Sequence, residues 1–215
     1  MNKKIRVIPA ILTDQPAELE RMLRLCQTFT DFAQIDIMDG RFVPSRSISW
    51  KDVARAQPQI SWEVHLMTLE PEDQLAHYRK AGACRAIFHG EASAQPERIV
   101  ESARRLGLQV GMALNPETTV GQILPLIDKL DSLLIMSVHP GFYGARYLPE
   151  VLDKVRELRS LRPGIEISID GGIKENNVLE VARSGVNSIC VGSAIFLQSD
   201  PAASFRKLQE MVDKI

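Results

Sequence analysis

No run in this chain is long and apolar enough to suggest a membrane span, and no block of like charge reads as a tail for nucleic acid. The start, Met1-Asn2-Lys3-Lys4-Ile5, is basic, but the apolar stretch after it is short and broken by Pro9, so neither a secretory leader nor a bilayer anchor is expected. Lys and Arg number 26 against 27 Asp and Glu, which gives a net charge of −1 and no electrostatic footprint for nucleic acid or an anionic membrane. Small or polar partners are expected instead. Cysteine is scarce: Cys26, Cys84 and Cys190 are odd in number, far apart and set in predicted helix or strand, without metal-ligand spacing. They are expected to be reduced core thiols of a cytoplasmic protein. No linker or shift in composition divides the 215 residues, and 45% hydrophobic with 25% charged is enough for one buried core, so residues 1–215 are expected to form a single domain.

What the chain does have is a repeat. Short β-branched runs alternate with longer amphipathic segments to the C-terminus, with strands predicted over residues 5–9, 32–38, 62–67, 85–89, 110–114, 132–138, 166–169 and 188–191. Helix starts are signalled by Asp14 before Pro16, by Glu70 before Pro71, and by Thr118 or Thr119 before a helix predicted over residues 120–130; Gly82, Gly107 and Gly185 act as stops. Eight βα units in so few residues predict an α/β fold, a single (β/α)8 TIM barrel. An open doubly wound sheet would need a glycine-rich fingerprint after the first strand, where Pro9-Ala10-Ile11-Leu12 stands.

In such a barrel the chemistry sits at the C-terminal strand ends. Two apolar strands carry carboxylates there: Ile35-Asp36-Ile37-Met38-Asp39-Gly40 on strand 2 and Asp170-Gly171-Gly172 at the end of strand 7. An ionised Asp in an apolar strand is costly unless it meets a cation, a metal or a proton to move, so the pair suggests acid/base chemistry; the plainer reading is a buried salt bridge to an arginine. Gln34 and Asp36 are two apart and share a face, strand 3 adds His65, and strand 7 lies across the barrel, so Asp36 and Asp170 could flank a small substrate from opposite sides. His65 alone would more often be a satisfied core histidine. His89 and His139 end strands without a partner pattern and are read as lying behind the ligands or facing solvent. Asp39 is read as a loop brace and residues 18–24 as a solvated helix face.

A second constellation follows strands 6, 7 and 8: Pro140-Gly141-Phe142-Tyr143-Gly144, Gly171-Gly172 and Gly192-Ser193, each read as a small-residue turn feeding a helix. Backbone N–H groups at helix starts bind an anion without any lysine, and barrels commonly hold phosphate near strands 7 and 8.

Together with Phe42-Val43-Pro44, Val64-His65-Leu66-Met67, Asn115-Pro116, Met136-Ser137-Val138 and Gly192-Ser193-Ala194, these strings resemble the ribulose-phosphate 3-epimerase family, in order and over nearly the whole chain. The resemblance implies epimerisation at C3 of a ketopentose 5-phosphate, D-ribulose 5-phosphate to D-xylulose 5-phosphate, by two-carboxylate proton transfer through a metal-stabilised enediolate. It implies Asp36 and Asp170 as the acid/base pair, and Asp36, His65 and Asp170 as ligands of a divalent metal such as zinc, manganese or iron. Met38, Met67 and Met136 would ring the intermediate, and Gly141, Phe142, Tyr143, Gly144, Gly171, Gly172, Gly192 and Ser193 would hold the phosphate. The implied partner is a sugar phosphate, not nucleic acid or membrane, and a homo-oligomer is compatible with the chain.

The departures fall at the same face. Gln34 stands where the family pattern has a metal-binding histidine, and an amide oxygen is a poorer donor than imidazole for zinc, which sets metal dependence against the resemblance. Ala10 replaces a serine, Tyr143 a glycine and His139 an asparagine, and Ser45-Arg46-Ser47-Ile48-Ser49-Trp50 lacks the usual Asn and Gly-Pro. Altered specificity or reduced activity is the expectation they raise: a paralogue acting on another ketose phosphate, or a weakened sugar-phosphate binding protein. A barrel using lysine and paired aspartates for decarboxylation or aldol chemistry would need Asp-x-Lys-x-x-Asp on strand 3, where Trp62-Glu63-Val64-His65-Leu66-Met67 stands.

Overall fold

A computed structural model describes residues 4–141 and 144–215. Strands β1 (Arg6–Ile11), β2 (Phe32–Met38), β3 (Ser61–Met67), β4 (Arg85–His89), β5 (Gln109–Leu114), β6 (Ser132–Met136), β7 (Glu166–Asp170) and β8 (Ser188–Val191) are parallel and close in chain order. The ring is sealed by β8 against β1, with Arg6 opposite Ser188 and Pro9 opposite Val191. This is the (β/α)8 barrel that the repeat predicts. Its outer layer is α1 (Pro16–Cys26), α2 (Trp50–Ala56), α3 (Glu72–Lys80), α4 (Pro96–Arg105), α5 (Val151–Leu161), α6 (Val178–Arg183), α7 (Ser193–Phe196) and α8 (Pro201–Val212).

Local chemistry explains most of these elements. The strands read as nearly continuous apolar runs because both their faces are covered, by helices outside and by packed side chains inside. Proline begins α1, α4 and α8 at Pro16, Pro96 and Pro201, where a missing N–H costs nothing and the fixed φ already suits a helix. Helix α1 buries Leu19, Met22, Leu23 and Cys26, one stripe at helical spacing.

One predicted helix is absent. Residues 120–130 form two single 3-10 turns, Val120–Gln122 and Ile127–Lys129. Pro125 lies in the middle of that stretch, lacks an N–H to donate and clashes with the preceding turn, and Gly121 weakens the helix further. Apolar spacing persists there while helix continuity does not. Strand β1 also runs two residues past its predicted end, and Cys84 lies just before β4 rather than in a regular element. Among the described residues no helix is long and apolar enough to cross a membrane.

The barrel interior is filled in layers. Parallel register sets Gln34 beside Glu63, Asp36 beside His65 and Met38 beside Met67, all facing inward by strand alternation. Ile8, Ala10, Ile87, Ala113, Leu134, Met136, Val138 and Cys190 fill much of the remainder. At the strand starts Arg85 closes the floor: its Nη1 donates to Glu63 Oε2 (3.1 Å) and Glu166 Oε1 (2.9 Å), and its Nη2 to Glu166 Oε2 (3.1 Å). Burial pushes the Glu63 carboxyl up to about 7 against the pull of Arg85. The interior is therefore a packed and partly ionic plug, open only at the strand ends.

All three thiols are free. Burial pushes Cys26 up to about 12 and raises Cys190 well above a free thiol, and half-buried Cys84, which donates to Trp62 O at 3.1 Å, is raised as well. Since the thiolate is the nucleophile, iodoacetamide at pH 8 is expected to leave Cys26 and Cys190 of the folded protein unmodified and Cys84 slow, whereas the denatured chain reacts at all three. Intact and peptide mass spectrometry reads this directly, and rapid loss of a native Cys190 thiol would contradict the packing.

Candidate active site

Three strands, two of them adjacent, aim donor groups at one point. Asp36 comes from the middle of β2, His65 from the matching position of β3, and Asp170 from the end of β7 across the barrel. His65 Nδ1 lies 2.9 Å from Asp36 Oδ1 and 3.8 Å from Asp170 Oδ2. One candidate donor atom from each residue lies within 4.8 Å of the others. His65 is fully buried, and the Asp36 and Asp170 side chains are 8% and 13% exposed, so the edge open to a ligand belongs to the carboxylates.

Gln34 lies one step deeper on β2. Its Nε2 donates to Asp36 Oδ1 (2.8 Å) and to Asp170 Oδ2 (2.6 Å), and its Oε1 accepts from Cys190 Sγ (3.2 Å). The hydrogen-bonding partners support this amide orientation: an ionised carboxylate only accepts, and a buried neutral thiol is the available donor, so the NH2 faces the acids and the carbonyl faces Cys190. Gln34 therefore turns its ligating oxygen away from the centre.

Burial pushes Asp170 up to about 7, helped by the Asp36 charge and opposed by His65 and the Gln34 hydrogen bond. Burial also works to strip the proton from His65, but the hydrogen bond to Asp36 and the two carboxylates outweigh it and hold the ring above the ordinary histidine range. Among the described residues neither aspartate pairs with an arginine or lysine; Arg85, the cation inside the barrel, is committed to Glu63 and Glu166 at the other end. The salt-bridge alternative finds no partner there. Two carboxylates and one imidazole, converging and without a fixed counter-cation, are a donor set that suits zinc, manganese or ferrous iron with coordination positions left open.

The cleft above this centre is lined by Met38, Met67 and Met136, and on the other side by Gly141, Gly144, Gly171, Gly172, Gly192 and Ser193. Phe142 and Tyr143 lie outside the described residues. Gly171 is held at φ +118, and a Cβ there would come within 2.5 Å of Val138 Cγ2. Ser137 Oγ donates to the carbonyls of Asp170 (3.0 Å) and Gly171 (2.7 Å), tying this turn to β6. Contrary to the expectation that each of the three turns feeds a helix, only Gly192-Ser193 runs straight into one, the single turn α7, because α5 begins at Val151 and α6 at Val178. Ala10 also lines the cleft, bringing a methyl where the family pattern has a hydroxyl. Ser47 pins the unusual loop after β2, accepting from Met38 N (2.9 Å) and donating to Asp36 O (3.1 Å).

Two residues beside the centre carry weaker signals in the sequence. His89 is fully buried, not solvent-facing, with its Nε2 2.9 Å from His65 Nε2; burial pushes it down to about 4. Alternation along Arg85, Ile87 and His89 places it inside the barrel, a signal already in the sequence. Spacing marks Cys190 only as a core thiol; its link to Gln34 depends on the registers of β8 with β1 and of β1 with β2, which spacing does not reveal. His139 faces solvent beside Glu117 (2.9 Å), and Asp39 braces its loop by accepting from the N–H groups of Arg41, Phe42 and Leu69.

Comparison with known proteins places the chain in a family. The model of the ribulose-phosphate 3 epimerase family matches residues 6–196. The chain is 35% identical to the ribulose-phosphate 3-epimerase of Schizosaccharomyces pombe, covering 97% of this chain and 94% of that one. It is 38% identical to that of Synechocystis, covering 91% and 89%. Among solved structures, a 3-hexulose-6-phosphate synthase from Salmonella typhimurium superposes with a TM-score of 0.75 over 98% of this chain and 99% of that one, at 17% identity, a likeness of fold alone. An acid pair at the strand ends, glycine turns beside it and relatives that match along almost the full length lead to one assignment: the chain belongs to the ribulose-phosphate 3-epimerase family of isomerases.

Proposed function

We propose that residues 1–215 act as one catalytic domain that interconverts D-ribulose 5-phosphate and D-xylulose 5-phosphate in the cytoplasm. The observation that carries the reading is the convergence of Asp36 and Asp170, from strands on opposite sides of the barrel, on one His65 nitrogen. Inverting C3 requires a proton to leave one face of the carbon and another to arrive on the opposite face. Two carboxylates this close resist carrying charge together, so one is ionised and removes the C3 proton while the other holds a proton and delivers it. The carboxylates exchange roles in the reverse direction, and exchange with solvent resets them.

Asp36, His65 and Asp170 would hold a divalent cation, with Gln34 contributing hydrogen bonds rather than a ligand. When bound, such a cation supplies positive charge opposite the oxygen that becomes negative as the C3 proton leaves. The methionines exclude water from that oxygen without offering a competing proton donor. The backbone N–H groups at Gly171, Gly172, Gly192 and Ser193, with the turn spanning Gly141 and Gly144, would seat the phosphate and so fix C3 between the acids.

The test is proton exchange. In D2O the purified protein is expected to replace the C3 hydrogen of D-ribulose 5-phosphate with deuterium and to build up D-xylulose 5-phosphate, both followed by NMR, and a chelator is expected to slow both. No exchange with manganese, zinc or ferrous iron supplied would overturn the proposal. A different ketose phosphate is the second reading, favoured by Ala10, whose methyl leaves one substrate hydroxyl without its usual partner; faster exchange on another ketose phosphate would select it.

A further inference from the structure

We propose that His89 and Glu91 are positioning residues that set the tautomer of His65 and so hold its Nδ1 lone pair toward the metal position. The inference rests on the proposed role of Asp36, His65 and Asp170 as ligands. A neutral imidazole has one N–H and one lone pair. Without a cation His65 Nδ1 donates to Asp36 Oδ1 at 2.9 Å; for it to offer a lone pair to a cation held with the two carboxylates, Nδ1 must give up that proton and the remaining one must sit on Nε2. Among the described residues the hydrogen-bonding neighbour of that nitrogen is His89 Nε2 at 2.9 Å. His89 must accept there, so its own proton sits on Nδ1.

The acidic neighbour of His89 Nδ1 favours a donor there. Glu91 Oε2 lies 3.5 Å away, the Asn115 side chain also acts on the ring, and His89 Nδ1 and Asn115 Oδ1 are both buried without a hydrogen bond of ordinary geometry. With the opposite tautomer a lone pair would point at the Glu91 carboxylate. Glu91 is itself fixed: its Oε1 accepts from Asn115 N (2.9 Å) and from the Thr118 hydroxyl. Phe42 covers the pair from the loop after β2, its ring centroid 4.8 Å from that of His89. Metal-binding histidines commonly donate their second N–H to a carboxylate, and losing that partner costs about 10–100-fold in metal affinity or activity. Here the carboxylate acts through an intervening imidazole, one strand further round the barrel.

The experiment is titration with cobalt(II), followed by its visible absorption and by competition with a chelator, on the wild-type chain and on His89→Leu, His89→Gln and Glu91→Gln. His89→Leu is expected to weaken cobalt binding about 10–100-fold. His89→Gln, whose carbonyl can accept from His65 Nε2, is expected to recover most of that loss, and Glu91→Gln to weaken binding by a smaller factor. Thermal melts accompany each titration, because a purely structural role would lower the melting temperature of the two His89 variants without separating their affinities. Equal cobalt affinity in wild type, His89→Leu and His89→Gln overturns the inference while leaving the metal reading intact. Should His89→Leu fail to fold, wild-type affinity in Glu91→Gln together with weakened binding in His89→Gln overturns it just as well. Absence of cobalt binding by the wild-type chain removes the metal reading, and this inference with it.

Discussion

Asp170→Asn is expected to reduce C3 exchange by about 10²–10⁴-fold or more, because in the proposed mechanism it removes one of the two groups that gain or lose a proton in every turnover. Asp36→Asn is expected to do the same. The size of the loss follows from geometry: besides the two acids, the titratable side chains among the described residues that line the cleft are His65 and Cys190, and the Cys190 thiol is held neutral by burial and donates to Gln34 Oε1. His65 is the nearest other group, and its Nδ1 already lies against Asp36 at 2.9 Å. The amide in Asp170→Asn has nearly the shape of the acid, and its oxygen can still accept from Gln34 Nε2, so the barrel is expected to melt close to wild type. Phosphate seating depends on turns that the substitution does not touch, so the loss should fall on kcat, with KM changed little. NMR exchange rates for wild type and both variants, at saturating D-ribulose 5-phosphate, measure this. Retention of a tenth or more of the exchange by either variant would mean that its carboxyl group does not move the proton.

Much of this site can be read along the chain, and the parts that cannot share a physical cause. Asp36 and Asp170 are conspicuous because charge inside an apolar strand has few structural uses. Alternation then orients Gln34, Asp36 and Met38 together without any knowledge of the neighbouring strands. The segment 120–130 misleads because apolar spacing reports which side is buried, not whether the hydrogen-bond ladder continues, and Pro125 interrupts the ladder. The link from Cys190 to Gln34 joins residues far apart in sequence through barrel closure, and so does the placing of Asp170 opposite Asp36. The repeat predicts that closure, but only the register decides which side chains meet. His89 lies between these cases: its inward direction follows from alternation, whereas its contact with His65 Nε2 depends on the pairing of β3 with β4.

Gln34→His is expected to tighten divalent-metal binding by about 10–100-fold or more, since even loss of a residue that only supports a ligand changes affinity by that much and this change adds a ligand outright. In the present arrangement Gln34 offers the centre two N–H donors, which neutralise part of the carboxylate charge and compete with a cation for the same oxygens. Imidazole in that place can turn a nitrogen lone pair toward the same point, completing two histidines and two carboxylates, and it withdraws both amide donors. The exchange of donor for acceptor acts twice on affinity, once by adding a bond and once by freeing Asp36 and Asp170. Cys190 loses its acceptor, but a thiol is a weak donor and leaves little cost behind. Isothermal titration with zinc and with manganese, paired with exchange assays in chelator, distinguishes the outcomes. Tighter binding with faster exchange would mean that the glutamine weakens a metal-dependent epimerase, whereas tighter binding with unchanged or slower exchange would mean that the Gln34 amide is itself part of how this chain holds its two acids for proton transfer. Unchanged affinity would show that β2 does not direct that side chain into the metal position, and the assignment of Asp36, His65 and Asp170 as ligands would then have to stand without a fourth.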